Sequence, residues 1–217
     1  MGRVNIVTIL VLMLAGCAMC HYQKRVLGKD CAPDQGQHHV VLTTPGDDKG
    51  HCGGSLLSSQ WIITAEHCEK RRFKDGTFEI IKDLQVLIGK HPDKTKAIKK
   101  DVEARHKFKY TKAQVEHDIM LIKIDNSNTG GAVTVQLPGT TCSAPSIGRR
   151  VDIVGWMTAD VHPTTKGDSG SSLMYKGKLH GVLIAGPTVR LCSDTEDYMD
   201  ICHPEYRAWI SKITGLK

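Results

Sequence analysis

Six short apolar runs, most of them rich in valine and isoleucine and closed by turn-forming residues, limit this chain to a fold made mostly of strands. They are Val40-Val41-Leu42, Trp61-Ile62-Ile63-Thr64, Leu84-Gln85-Val86-Leu87-Ile88, Ile119-Met120-Leu121-Ile122-Lys123-Ile124, Val151-Asp152-Ile153-Val154 and Gly181-Val182-Leu183-Ile184. Branched side chains suit a pleated surface, and the runs are too short for core helices. Between them lie Pro45-Gly46-Asp47, Lys74-Asp75-Gly76, residues 126–131, Pro138-Gly139 and Lys176-Gly177, which supply the torsions of tight turns. Short strands punctuated this regularly predict a barrel or sandwich. The last segment breaks the pattern. Pro204 opens it, Gly215 closes it, and Tyr206, Trp209, Ile210 and Ile213 recur at three- and four-residue steps. That spacing predicts a terminal helix packed by one face.

The first residues read as a targeting segment. Arg3 precedes an apolar run from Ile6 to Leu14, followed by the small-residue region Gly16-Cys17-Ala18. The run is too short to span a bilayer and has the shape of a secretory signal over residues 1–18. Leu14-Ala15-Gly16-Cys17 also has the shape of a lipoprotein signal, against which the downstream prosegment argues. Residues 19–25 end in Lys24-Arg25, a basic site that precedes Val26-Leu27-Gly28, so residues 26–217 form the expected mature domain. The location expected is extracellular, with no membrane contact once the signal is gone.

Secretion permits disulfides. Of eight cysteines, Cys17 and Cys20 lie in or beside the signal, and six remain: Cys31, Cys52, Cys68, Cys142, Cys192 and Cys202. An even number fits a disulfide framework whose pairing the count cannot decide. The formal charge is +6, and residues 1–25 carry Arg3, Lys24 and Arg25 without an acid, which leaves +3 afterwards. That excess is too small to argue for nucleic acid as a partner. The densest basic run holds Lys90, Lys94, Lys96, Lys99, Lys100, Arg105, Lys107, Lys109 and Lys112 against Asp93, Asp101 and Glu103. It reads first as a solvated loop face and second as a docking patch for an acidic glycan.

Three motifs carry chemistry: Thr64-Ala65-Glu66-His67-Cys68, His117-Asp118-Ile119-Met120-Leu121 and Gly167-Asp168-Ser169-Gly170. A serine hydroxyl is a weak nucleophile until a base removes its proton and an anion orients that base. His67, Asp118 and Ser169 supply those roles in chain order. His67 stands 51 positions before Asp118, and Asp118 stands 51 before Ser169. The template has gaps of about 45 and about 93, so the second interval is short. Backbone N–H groups of Gly167 and Ser169 are the expected oxyanion donors. Gly167 and Gly170 suit the tight turn that exposes the serine.

In combination these stretches resemble the trypsin/chymotrypsin family of secreted serine endopeptidases. The match also includes Val26-Leu27-Gly28, His51-Cys52-Gly53-Gly54-Ser55-Leu56-Leu57, Gly155-Trp156 and the terminal helix. The resemblance implies an all-β fold of two Greek-key barrels with the site between them. It implies a zymogen cut after Arg25, the freed amine of Val26 pairing with Asp168. It implies disulfides Cys52–Cys68 and Cys142–Cys202, with Cys31 and Cys192 either paired together or free. The implied partners are a polypeptide substrate, an activating protease and serine protease inhibitors.

The chain departs from that pattern in five features. Only residues 157–166 occupy a stretch that is much longer in the family, so the second barrel is expected to be incomplete. Pro163 stands where a trypsin carries Asp, and Ile184-Ala185-Gly186 replaces Ser-Trp-Gly along the substrate strand. These specificity-pocket candidates do not support a preference for Arg or Lys. Gly170-Ser171-Ser172 replaces the usual Gly-Gly-Pro after the nucleophile. No metal or cofactor is expected, because the stretch matching the calcium loop begins Gly89-Lys90-His91 rather than with carboxylates. The expected activity is therefore serine-type endopeptidase. The alternative is a catalytically impaired truncated isoform or a non-catalytic homologue that acts by binding.

Overall fold

The computed structural model describes residues 31–47, 49–73, 75–125, 129–155, 168–185 and 197–217. Its larger layer is a seven-stranded antiparallel sheet. In chain order its strands are β1 (His39–Thr43), β2 (Cys52–Ser58), β3 (Trp61–Thr64), β6 (Gln85–Ile88), β7 (Ile98–Asp101), β8 (Lys107–Lys112) and β9 (Val115–Lys123). They lie side by side as β7-β6-β1-β2-β3-β9-β8. A small hairpin of β4 (Lys70–Arg72) and β5 (Phe78–Ile80) forms a separate two-stranded sheet. The second layer is β10 (Asp152–Val154), β11 (Ser172–Tyr175), β12 (Lys178–Ala185) and β13 (Asp197–Asp200), paired in that order. The chain ends in helix α1 (Pro204–Thr214).

All six apolar runs lie in or overlap strands, and the terminal helix has the expected bounds. Pro204 occupies its first turn, and Gly215 closes it at φ +75 with its N–H on the Ser211 carbonyl. That is the left-handed stop at which glycine is favoured. Ile210 is fully buried, while Tyr206, Trp209 and Ile213 pack against the core.

One apolar core joins both sheets. Leu42, Leu56, Ile62, Ile63, Ile88 and Leu121 come from the large sheet, Leu179 and Val182 from the small one, and Ile201 from the turn after β13. Each fully buried aliphatic side chain contributes about 1.5–3 kcal/mol relative to exposure. Residues 132–138 stitch the layers together. Val135 N–H donates to Leu56, Leu179 N–H donates to Gln136, and Arg207 on α1 donates to the Pro138 carbonyl.

The basic run is not a loop throughout, because β7 and β8 pass through it. At least six of its nine cations sit in ion pairs, among them Lys100 with Asp125 at 2.8 Å, Lys107 with Glu69 at 3.3 Å and Lys112 with Glu205.

Candidate active site

His67 is held by the stretch that follows β3. Ala65 leads from that strand into one turn of 3-10 helix, Glu66–Glu69. The Cys52–Cys68 disulfide, with its Cα atoms 5.9 Å apart, staples this turn to β2. Asp118 sits on β9, which pairs with β3 from Thr64↔Met120 to Trp61↔Lys123. The pairing brings the carboxylate under the histidine. Asp118 Oδ2 lies 2.7 Å from His67 Nδ1, and Asp118 Oδ1 accepts the His67 backbone N–H at 2.9 Å. One carboxylate thereby orients both the ring and the backbone that carries it. Burial opposes the charge on Asp118, but the hydrogen bonds and the nearby His67 ring outweigh it and hold the carboxyl below its ordinary range. The neighbouring His117 is fixed by a 2.6 Å hydrogen bond between its Nδ1 and Tyr206 of α1.

Ser169 occupies the turn that leads into β11. The turn is tied to both sheets: Gly53 N–H on β2 donates to the Ser169 carbonyl at 2.7 Å, and Gly170 N–H donates to the Leu183 carbonyl at 2.6 Å. Ser171 N–H closes the turn onto the Asp168 carbonyl. Gly170 has φ +84, and a Cβ there would collide with the Gly53 carbonyl and Thr64 Oγ1. The position therefore requires glycine for its torsion and for its space. Cys68 Sγ lies 3.7 Å from the Ser169 carbonyl, so the histidine turn and the serine turn meet. Among the described residues no hydrogen bond joins Ser169 Oγ to His67. Catalytic hydrogen bonds often tighten only when substrate binds.

Asp168 packs over Gly155, whose added Cβ would lie 2.5 Å from Asp168 Oδ1. Ile184 and Ala185 fall at the end of β12, where Ala185 pairs with Asp197. Arg25, Val26, Pro163, Gly167, Gly186 and Cys192 lie outside the described residues. Cys31 carries a free thiol, and the second disulfide, Cys142–Cys202, joins the long connection to the residues just before α1. Cys52, His67 and Cys68 are the one close trio of metal-ligating residue types among the described residues. Two of them are spent in the disulfide.

Sequence reading missed a charged network beneath the histidine. Buried Glu66 and Glu69 bracket His67 and Cys68 and meet Lys70, Lys107 and Lys109. Burial resists the charge on Glu66, yet hydrogen bonds from Lys70 and Lys109 hold its carboxyl below the ordinary range. The only sequence trace was lysines two apart, which share one face of a strand, with their glutamates some forty residues earlier. It also missed Gly53, which acts through its backbone.

Two antiparallel sheets, a histidine–carboxylate pair and a serine on a glycine turn define a serine hydrolase arrangement. The family model described as Trypsin matches residues 25–165, and the chain belongs to that family of serine proteases. A venom plasminogen activator of Trimeresurus albolabris is 34% identical over 149 residues, spanning 63% of this chain and 51% of the relative. Trypsin of Xenopus laevis is 30% identical over 161 residues, spanning 68% of this chain and 56% of that protein. The chain spans about half the length of the curated relatives it matches. Among solved structures, kallikrein-related peptidase 10 superposes with TM-score 0.59 at 19% identity, covering 85% of this chain and 98% of that one. The structure named HBP gives TM-score 0.61 at 17% identity, covering 88% and 96%. These likenesses establish the two-barrel fold.

Proposed function

We propose that this chain is a secreted serine endopeptidase that hydrolyses polypeptides through an acyl-enzyme. Ser169 attacks the scissile carbonyl, and His67 takes the serine proton and returns it to the leaving amine. Asp118 fixes the tautomer and stabilises the imidazolium. Gly167 and Ser169 N–H groups receive the oxyanion. Cleavage after Arg25 by an activating protease frees Val26, whose amine pairs with Asp168, and serine protease inhibitors are natural partners of such a site. The observation that carries this reading is the His67–Asp118 contact at 2.7 Å, made by a carboxylate that also binds the histidine backbone.

A second reading is a non-catalytic homologue that acts by binding. The lack of a Ser169–His67 hydrogen bond among the described residues favours it. An acidic glycan along Lys90 to Lys112 is compatible with either reading. A fluorophosphonate probe separates the two on protein cut after Arg25. The peptidase reading predicts labelling that disappears in Ser169→Ala. A folded, cleaved and unlabelled protein would establish the homologue instead.

A further inference from the structure

Four polar side chains are buried in the seam between β1 and the stretch after Ser169. His39 opens β1 and His38 lies in the turn just before it, and they are 6% and 8% exposed. Ser171 and Ser172, which stand where the family carries glycine and proline, are both 0% exposed. His38 Nε2 lies 3.0 Å from Ser172 Oγ. His39 and Ser171 converge on the bare Cα of Gly53, where an added Cβ would lie 2.6 Å from His39 Cε1 and 2.5 Å from Ser171 Oγ. Gly53 is the residue whose N–H holds the Ser169 carbonyl. Neither His39 nitrogen nor Ser171 Oγ has a hydrogen-bond partner among the described residues.

Buried polar groups cost free energy that a purely structural seam would avoid with apolar residues. Here the two serines replace residues without hydroxyls, and two histidines stand opposite them. We propose that His38 and His39, acting with Ser172 and Ser171, are positioning residues that fix the Ser169 turn against the large sheet. The link runs from the His38–Ser172 bond through β11 and from His39 through Gly53, so both reach the serine without touching substrate. The inference rests on the peptidase reading for its catalytic consequence, but not for the contact itself. The rings work here as neutral groups. Burial pushes the His39 ring down to about 3, with His38, Lys90 and His91 adding repulsion, and burial also lowers His38. Lys90 and His91 after β6 and Asp168 on the serine turn are the charged or titratable groups that border the cluster.

The test uses the chain cut after Arg25 and carrying His38→Phe, His38→Gln or Ser172→Ala. His38→Phe is expected to slow the maximal rate of phosphonate labelling about tenfold, the worth of one hydrogen bond, without changing the probe's half-saturation. His38→Gln, which can still bond Ser172, restores the rate to within about twofold. Amide hydrogen exchange at Gly53 and Gly170 quickens in His38→Phe, whereas exchange at Met120 and Leu121 does not. Should His38→Phe fail to fold, Ser172→Ala removes the same bond with a smaller change. Wild-type labelling and exchange rates in both His38→Phe and Ser172→Ala would overturn the proposal, as would a His38→Gln variant as slow as His38→Phe. If wild-type protein is not labelled at all, the peptidase reading fails. The exchange at Gly53 and Gly170 then decides the contact by itself.

Discussion

The large sheet and the small sheet contribute to the site in different ways. Asp118 lies on β9 of the large sheet and His67 on the 3-10 turn that follows its neighbour β3, and their contact at 2.7 Å needs nothing from the small sheet. Ser169 lies on the turn before β11 of the small sheet, and that turn is held by Leu183 of the small sheet and, across the seam, by Gly53 and by the side-chain bond of Ser172 to His38. On the proposed roles, the base and its orienting acid are therefore held by the large sheet and the turn after β3, whereas the proposed nucleophile depends on how two sheets meet. Damage to the large sheet should remove the chemistry. Damage to the seam should misplace the serine and leave the base intact.

His67→Ala separates these roles most sharply. It should lower kcat about a millionfold while leaving thermal unfolding nearly unchanged, as measured on a peptide ester. Gly170→Ala attacks the seam. A Cβ there meets the Gly53 carbonyl and Thr64 Oγ1 at a torsion disfavoured for other residues, so a loss of roughly 4 kcal/mol in denaturant unfolding is expected. Labelling of Ser169 should fall while the His67–Asp118 contact persists, visible as the downfield imidazole proton.

The two disulfides sharpen the same contrast. Cys142–Cys202 closes a separation of 60 residues and Cys52–Cys68 one of 16. By loop entropy, removing the first should cost about 4 kcal/mol and the second about 3 kcal/mol. The smaller loss carries the larger catalytic penalty, because Cys52–Cys68 staples the histidine turn. Urea unfolding and labelling rates on the paired Cys→Ala variants check both statements.

A further contrast lies in pH dependence, with the smallest change per step. His39 stays neutral in the folded chain down to about 3 but takes up a proton near 6.5 once unfolded. Its contribution is complete above pH 6.5 and is lost as pH falls toward 3. Wild type should therefore lose stability across that window more steeply than His39→Phe, by up to about 1 kcal/mol per pH unit. Equal slopes in urea titrations would contradict the neutral, buried ring.

How much of this was legible follows the range of each interaction. The helix Pro204–Thr214 was readable because its start, stop and packed face all lie within a dozen residues. Strands with branched apolar runs were readable for the same reason. The hairpin of β4 and β5 was not, since Lys70–Arg72 is wholly charged and Phe78–Ile80 is exposed along its length. Lysines 107 and 109 look like a solvated face until Glu69 and Glu66, some forty residues earlier, are brought beneath them. The three motifs proposed to carry the chemistry were plain in the sequence. The clamp on Ser169 was not, because Gly53 acts through a backbone N–H that leaves no mark on residue choice beyond a glycine. Ser171 and Ser172 were visible as departures, but only the fold reveals the two histidines opposite them.

The most direct measurement is the rate at which a fluorophosphonate labels Ser169 in chain cut after Arg25, with Asp118 or with Asp118→Asn. Asparagine keeps the shape and reverses the tautomer that His67 must hold. A drop of about ten-thousandfold is expected, with the fold unchanged by circular dichroism. Equal labelling of the two proteins would show that the His67–Asp118 pair does not activate Ser169.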